Sequence, residues 1–279
     1  MPAIACPQPT RRARAAAAWA ALTIAALAAG LGAGCATTDG AGGASEVRTA
    51  SDLTDAERRA RVRVELASNY FARGQTETAL DEIKQALAAK PDFADAFNLR
   101  GLVYASLGDM RLAEESFRRA LELAPRDGET MHNWAWVMCQ QRRYAEADAM
   151  FARALELPNY RGVTRTLLAR GVCQAREGRY ELAERTLARS YELDPSNPAT
   201  GFNLAEVLLR LGQYERARFY IGRVNAVPEQ VNAQTLWLAA RIEHKLGNAT
   251  GVADYGRQLR GRFPQSPEAA ALESRRFDD

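Results

Sequence analysis

The chain has 279 residues, 25% charged and 47% hydrophobic, the latter heavy in alanine, a balance that suits packed helices. Its formal charge of +3 is accounted for by Arg11, Arg12 and Arg14; the remainder balances 34 basic against 34 acidic residues. A neutral main body excludes non-specific nucleic-acid binding as the basis of function.

Residues 1–34 contain no Asp, Glu or Lys. Thr10–Arg14 makes a basic start, Ala15–Leu31 an apolar run, and Gly32-Ala33-Gly34 leads into Cys35. That order marks a secretory signal. A cysteine directly after the small residues resembles a bacterial lipoprotein, in which Cys35 carries the lipid and becomes the first mature residue. Gly32 stands where such signals ordinarily place leucine, with Leu31 one position back. An uncleaved membrane anchor is the competing reading, since the run is about long enough to span. The paired arginines also leave open a twin-arginine signal. Ala36, in place of the aspartate that retains lipoproteins at the inner membrane, favours the periplasmic face of a Gram-negative outer membrane. Residues 35–59 are rich in Gly, Ala, Ser and Thr, too polar to offset their ordering entropy, and are expected to form a flexible tether.

From residue 60 a period of 34 takes over. Ala60–Phe93 places Leu66, Ala67, Tyr70, Gly74, Ala79, Ile83, Ala86 and Pro91 at offsets 7, 8, 11, 15, 20, 24, 27 and 32. Ala94–Asp127 repeats the pattern with Phe97, Arg100, Gly101, Tyr104, Ala113, Phe117, Ala120 and Pro125. Small residues at offsets 8 and 20 let two helices approach closely, bulky ones fill the space around them, and proline ends the second helix. This is the spacing of a tetratricopeptide repeat, a helix hairpin that needs like neighbours to bury its apolar face. The third unit, 128–158, keeps Trp134, Ala135, Ala147, Phe151 and Ala154; a spacer, Asn159–Val163, follows. The register resumes in 164–197 with Gly171, Gly178, Ala183, Leu187 and Pro195, and in 198–231 with Leu204, Ala205, Gly212, Ala217 and Ile221. The sixth unit, 233–266, keeps Leu236, Ala240, Gly247, Leu259 and Pro264. Ser266-Pro267-Glu268 then reads as N-cap, first-turn proline and first-turn acid, opening a capping helix through about Arg276 within the closing stretch 267–279. No stretch alternates with strand period, so the expected fold is all-α, a superhelix of about six hairpins with a concave surface.

Offsets 4, 7, 8 and 11 of each first helix are expected to pack inside the repeat, and offsets 2, 5, 9 and 12 to face the concave side. The candidate groove residues are Phe71, Asn98, Leu102, His132, Trp136, Phe202, Trp237 and Arg241, with inter-repeat packing as the alternative for the aromatics. Asn133 and Asn203, at offset 6, are candidates to hydrogen-bond the main chain of a bound segment, local contacts being the alternative. Cys139 and Cys173 fall at offsets 12 and 10 on the first helices of adjacent repeats. A disulfide needs Cα atoms within about 7 Å; the spacer leaves that distance open, and two buried thiols are the alternative. Catalytic signatures are missing: two histidines lie three repeats apart, and there is no HExxH, GxSxG, phosphate-binding loop or CxxC. The expectation is a binding protein without catalytic residues, metal, cofactor or small-molecule substrate.

Four segments carry a narrower resemblance: Asn133–Cys139 (NWAWVMC), Leu157–Tyr180 with Gly171-x-Cys173, Thr235–Asn248 (TLWLAARIEHKLGN) and Leu259–Glu268 (LRGRFPQSPE). With the signal and Cys35, they resemble the type IV pilus biogenesis and stability lipoproteins, the pilotins of the pilus secretin. Leu168-Ala169-Arg170 departs from the asparagine that this family places before Gly-x-Cys. The resemblance implies a secretin subunit as protein partner, an outer-membrane location through lipid on Cys35, and a role in secretin localisation and multimerisation. A periplasmic scaffold of another envelope-assembly or cell-division machine is the competing function. A carboxylate-clamping co-chaperone is disfavoured by Glu129, which stands where a clamp would want a base.

Overall fold

A computed structural model describes residues 53–277. The signal, Cys35 and most of the expected tether lie outside them. Among the described residues there are 13 α-helices, a single 3-10 turn at Pro228–Gln230, and no strand. The helices pair as hairpins: α1 (Asp55–Ala72) with α2 (Thr76–Ala89), α3 (Ala94–Ser106) with α4 (Met110–Leu123), and α5 (Gly128–Gln140) with α6 (Tyr144–Leu155). Then follow α7 (Val163–Arg176) with α8 (Tyr180–Leu193), α9 (Pro198–Arg210) with α10 (Tyr214–Asn225), and α11 (Ala233–Lys245) with α12 (Ala249–Arg262), closed by α13 (Pro267–Glu273).

Local chemistry sets the helix boundaries. Side chains of Asp109, Asp127, Asn197, Asn232, Asn248 and Ser266 each accept a hydrogen bond from a first-turn N–H. Five of the six hairpins turn through a glycine with positive φ: Gly74, Gly108, Gly178, Gly212 and Gly247. The third hairpin puts Arg142 there, at φ 62°. Two boundaries differ from the repeat register. α1 begins at Asp55 rather than Ala60, because Thr54 caps it and Asp55 and Glu57 favour its first turn, which shortens the expected tether. α13 ends at Glu273 rather than near Arg276, and Arg275, at φ 52°, turns the chain back so that Phe277 is buried.

Close approach explains the small residues. A Cβ on Gly101 would lie 2.7 Å from the Phe117 ring, and one on Gly171 would lie 2.6 Å from Leu187. Ala113, Phe117, Ala135, Ala147 and Phe151 are fully buried. The packing offsets are wider than the sequence pattern implies. In α3, Ala96, Leu99 and Val103, at offsets 3, 6 and 10, are buried against Ala79, Ile83 and Ala86 of the preceding hairpin. These residues make the inter-repeat seam, which a pattern built on one hairpin at a time leaves out.

Curvature follows from which helices touch. Each first helix meets its own partner and also the first helix of the next repeat, as in α1 with α3 and α5 with α7. Beyond its own hairpin, the backbone of each second helix comes close only to the helix that follows it. Second helices meet one another through side chains, as Arg216 of α10 does with Glu184 of α8 and Tyr220 with Tyr191. The first helices therefore line the inner, concave side. At the open N-terminal side of α1, Val62 and Leu66 remain 55% and 39% exposed between Arg58, Arg59 and Arg63.

Candidate partner-binding surface

The spacer between the third and fourth hairpins organises the middle of the concave side. Asn159 takes a positive φ of 64°, and Tyr160 turns inward over Gly128 and Gly162. A side chain on Gly128 would meet the Tyr160 ring at 2.6 Å. The Tyr160 hydroxyl and Thr166 Oγ1 lie 2.9 Å apart, and Thr166 Oγ1 is 2.9 Å from His132 Nδ1. Nearby, Glu129 of α5 pairs with Arg165 of α7. His132 is only 8% exposed and packs edge-on to Phe151. Burial first, and the Arg165 guanidinium second, push its pKa down to about 4, so the ring is neutral near pH 7.

Behind this plug, Cys139 of α5 and Cys173 of α7 are joined by a disulfide, with Cα atoms 5.9 Å apart. Both are buried among Ala135, Met138, Ala147 and Phe151. A second clamp crosses the same joint: Arg170 of α7 donates to both Asp148 carboxylate oxygens, at 2.8 and 3.0 Å, and Gln174 adds a bond of 2.8 Å. The Arg170 hydrogen bonds hold the Asp148 carboxyl below its ordinary pKa. Sequence periodicity gives no sign of the spacer's inward turn; three devices fix a joint that the spacer would otherwise loosen.

Two adjoining clefts open on the concave side of this rigid centre. One, of about 400 Å³, is lined by His132, Trp136, Arg165, Leu168, Ala169, Val172, Arg176 and Asn203. The other, of about 280 Å³, shares Val172, Arg176 and Asn203 and adds Tyr180, Glu206, Val207 and Arg210. The Arg176 guanidinium sits 5.0 Å above the Trp136 ring, an exposed cation over an aromatic face. The floor is apolar and the rim basic, with Glu206 the acidic member of the second cleft.

The candidate groove residues divide into four groups. His132, Trp136 and Asn203 come together in the central clefts. Phe71, Leu102 and Phe202 are half-buried against the cores of their own and adjoining repeats. Asn133 donates to Asn98 Oδ1 at 3.1 Å, joining α5 to α3, and Asn203 donates to its own helix at Ala199 O. Trp237 and Arg241 lie on the last hairpin, where both contact Phe277. Offsets 2, 5, 9 and 12 do not reach Arg176 and Arg210, which stand at offset 13. A readable signal existed for them: the fourth, fifth and sixth repeats all carry a basic residue there, Arg176, Arg210 and Lys245. Among the described residues no cluster of His, Cys, Asp or Glu is placed to hold a metal ion.

Tetratricopeptide-repeat models match residues 64–128 and 134–198, and a second such model matches 174–241. The solved structure of PilW, described as a widely conserved type IV pilus biogenesis factor, is 32% identical with a TM-score of 0.71, covering 77% of this chain and 98% of that one. The chain belongs to the tetratricopeptide-repeat family. It is related to the type IV pilus biogenesis factors. The type IV pilus assembly protein PilF of Pseudomonas aeruginosa is 27% identical over 205 residues, covering 74% of this chain and 81% of that protein. The solved Pseudomonas aeruginosa PilF structure, 24% identical with a TM-score of 0.69, covers 80% of this chain and 100% of that one and shares its fold. Tetratricopeptide-repeat proteins are generally scaffolds that bind other proteins, so the clefts between α5 and α9 are read as a protein-binding surface.

Proposed function

We propose that this chain is a periplasmic lipoprotein, held to the outer membrane through Cys35, that binds the type IV pilus secretin and promotes its localisation and multimerisation. The observation that carries the pilus assignment is the kinship with PilW over nearly that protein's whole length. Lipid supplies the destination, since several acyl chains anchor stably where one is marginal. The concave surface supplies selectivity. Trp136, Leu168 and Val172 offer an apolar floor for side chains of a bound segment, while Arg176 and Arg210 offer donors to its carbonyls or carboxylates. No helix of the described residues is long and apolar enough to cross a membrane. A membrane location in this reading therefore rests on the segment containing Cys35.

Two measurements test this reading. Cys35→Ser is expected to move the protein out of the outer-membrane fraction and lower secretin multimers there, with its helical circular dichroism unchanged. Normal fractionation of that variant would make residues 1–34 an uncleaved anchor. Deletion of the whole chain should reduce secretin multimers and piliation together. Unchanged multimers in the correct membrane, with an envelope or division defect instead, would favour a scaffold of another machine.

A further inference from the structure

The concave side of the last hairpin is already occupied. Beyond α13 the chain reverses at Arg275 and lays Phe277 across α11, where it is 8% exposed. Its ring stacks on Trp237, with centroids 5.3 Å apart, and on His244 at 4.3 Å. Arg241 Nε donates to the Phe277 carbonyl oxygen at 3.0 Å. Trp237, Arg241 and His244 stand at offsets 5, 9 and 12 of the sixth repeat. These are concave-face offsets, the same that put Leu168, Trp136 and Ala175 into the central clefts. Recognition here uses two groups that do not depend on neighbouring sequence, an aromatic face and a main-chain carbonyl. Ser274, Arg275 and Arg276, which lead into the contact, are exposed.

We propose that the concave face of the sixth repeat is a slot for an aromatic side chain carried on an extended segment of a protein partner, and that the chain's own Phe277 fills it when no partner is bound. The inference rests on the reading of the concave side as the binding surface, and narrows the partner's chemistry. The slot accepts a flat apolar ring between Trp237 and His244 while Arg241 holds the adjoining main chain in register. Because Phe277 is tethered, it competes at an effective concentration on the order of millimolar. A partner segment must therefore exceed that competition, or gain from simultaneous contact in the central clefts.

The probe is a labelled peptide spanning Ser274–Asp279, followed by fluorescence anisotropy against the wild-type protein and Phe277→Ala. The expected result is at least tenfold tighter binding to Phe277→Ala than to wild type. Replacing the peptide's phenylalanine by alanine, or adding Trp237→Ala to the protein, should abolish it. Equal binding of the two peptides, or no gain in Phe277→Ala, would overturn the proposal. Loss of cooperative melting in Phe277→Ala would overturn it too, by making Phe277 part of the permanent core. A wild-type dimer in sedimentation that the peptide dissociates would assign the slot to a second copy of this chain, and would equally overturn the partner reading. None of these outcomes involves the secretin, so failure here leaves the pilus assignment to its own tests.

Discussion

Gly101 and His132 show how single positions couple packing to stability. At Gly101 the Phe117 ring occupies the space that a side chain would need, at 2.7 Å from an added Cβ. Gly101→Leu is therefore expected to lower stability by about 1–3 kcal/mol through overpacking, read as a fall in melting temperature. An unchanged melt would mean that α3 and α4 do not close on one another at that point. His132 makes a pH-dependent contribution. Its folded pKa of about 4 lies below the ordinary value of 6.5, so between these values the unfolded chain binds more protons than the folded one. The contribution is fully present above pH 6.5 and is lost as the pH falls toward 4, about 3 kcal/mol in all. Urea midpoints at pH 7.5 and pH 4.5 should differ less in His132→Gln than in the wild type. The position of His132 in the repeat was readable from the sequence. Its burial was not, because Thr166 and Tyr160, which close over it, come from the spacer and the next repeat.

At the scale of helices and turns, repetition makes departures informative. Five hairpins use glycine at the left-handed turn position, and the third uses Arg142 at φ 62°. A side chain there costs energy that glycine does not. Arg142→Gly should raise stability by about 0.5–1 kcal/mol, after allowing for the greater freedom of glycine in the unfolded chain. Chemical denaturation at pH 7.5 would measure it, and a decrease would mean that Arg142 makes a compensating contact. The cap at Ser266 was legible, since serine before a first-turn proline and acid carries its chemistry locally. The end of α13 was not. Ser274, Arg275 and Arg276 contain no Pro or Gly to stop a helix, and the reversal is coupled to Phe277 reaching Trp237 and His244, whose positions α11 sets.

Across the whole molecule, the Cys139–Cys173 bond ties the third repeat to the fourth over a sequence separation of 34. Closing a loop of that size restricts the unfolded chain by roughly 3–4 kcal/mol. Reduction should therefore lower the melting temperature of the entire array, because repeats support one another through their interfaces. The check is thiol counting under denaturing, non-reducing conditions, paired with melts with and without reductant. Two free thiols beyond Cys35 in the purified mature protein, with an unchanged melt on reduction, would rule the bridge out in solution. Since Trp136, Leu168 and Val172 stand on the two joined helices, the bond also fixes the spacing of the central cleft's floor.

By itself the sequence determined the hairpins, their number and their turns. Each depends on residues close together in the chain: a small residue facing a ring, a capping oxygen, a glycine or a proline. It also placed a fixed set of offsets on the inner side of every first helix. Only the tertiary structure decided which of those offsets stay open to a partner. Phe71, Leu102 and Phe202 lean into the packed cores, the spacer seats Tyr160 against Gly128 and Gly162, and Phe277 covers Trp237. The reason is physical. Exposure at one offset depends on side chains supplied by a neighbouring repeat, by an insertion or by a returning segment, and none of these is encoded in the period of 34.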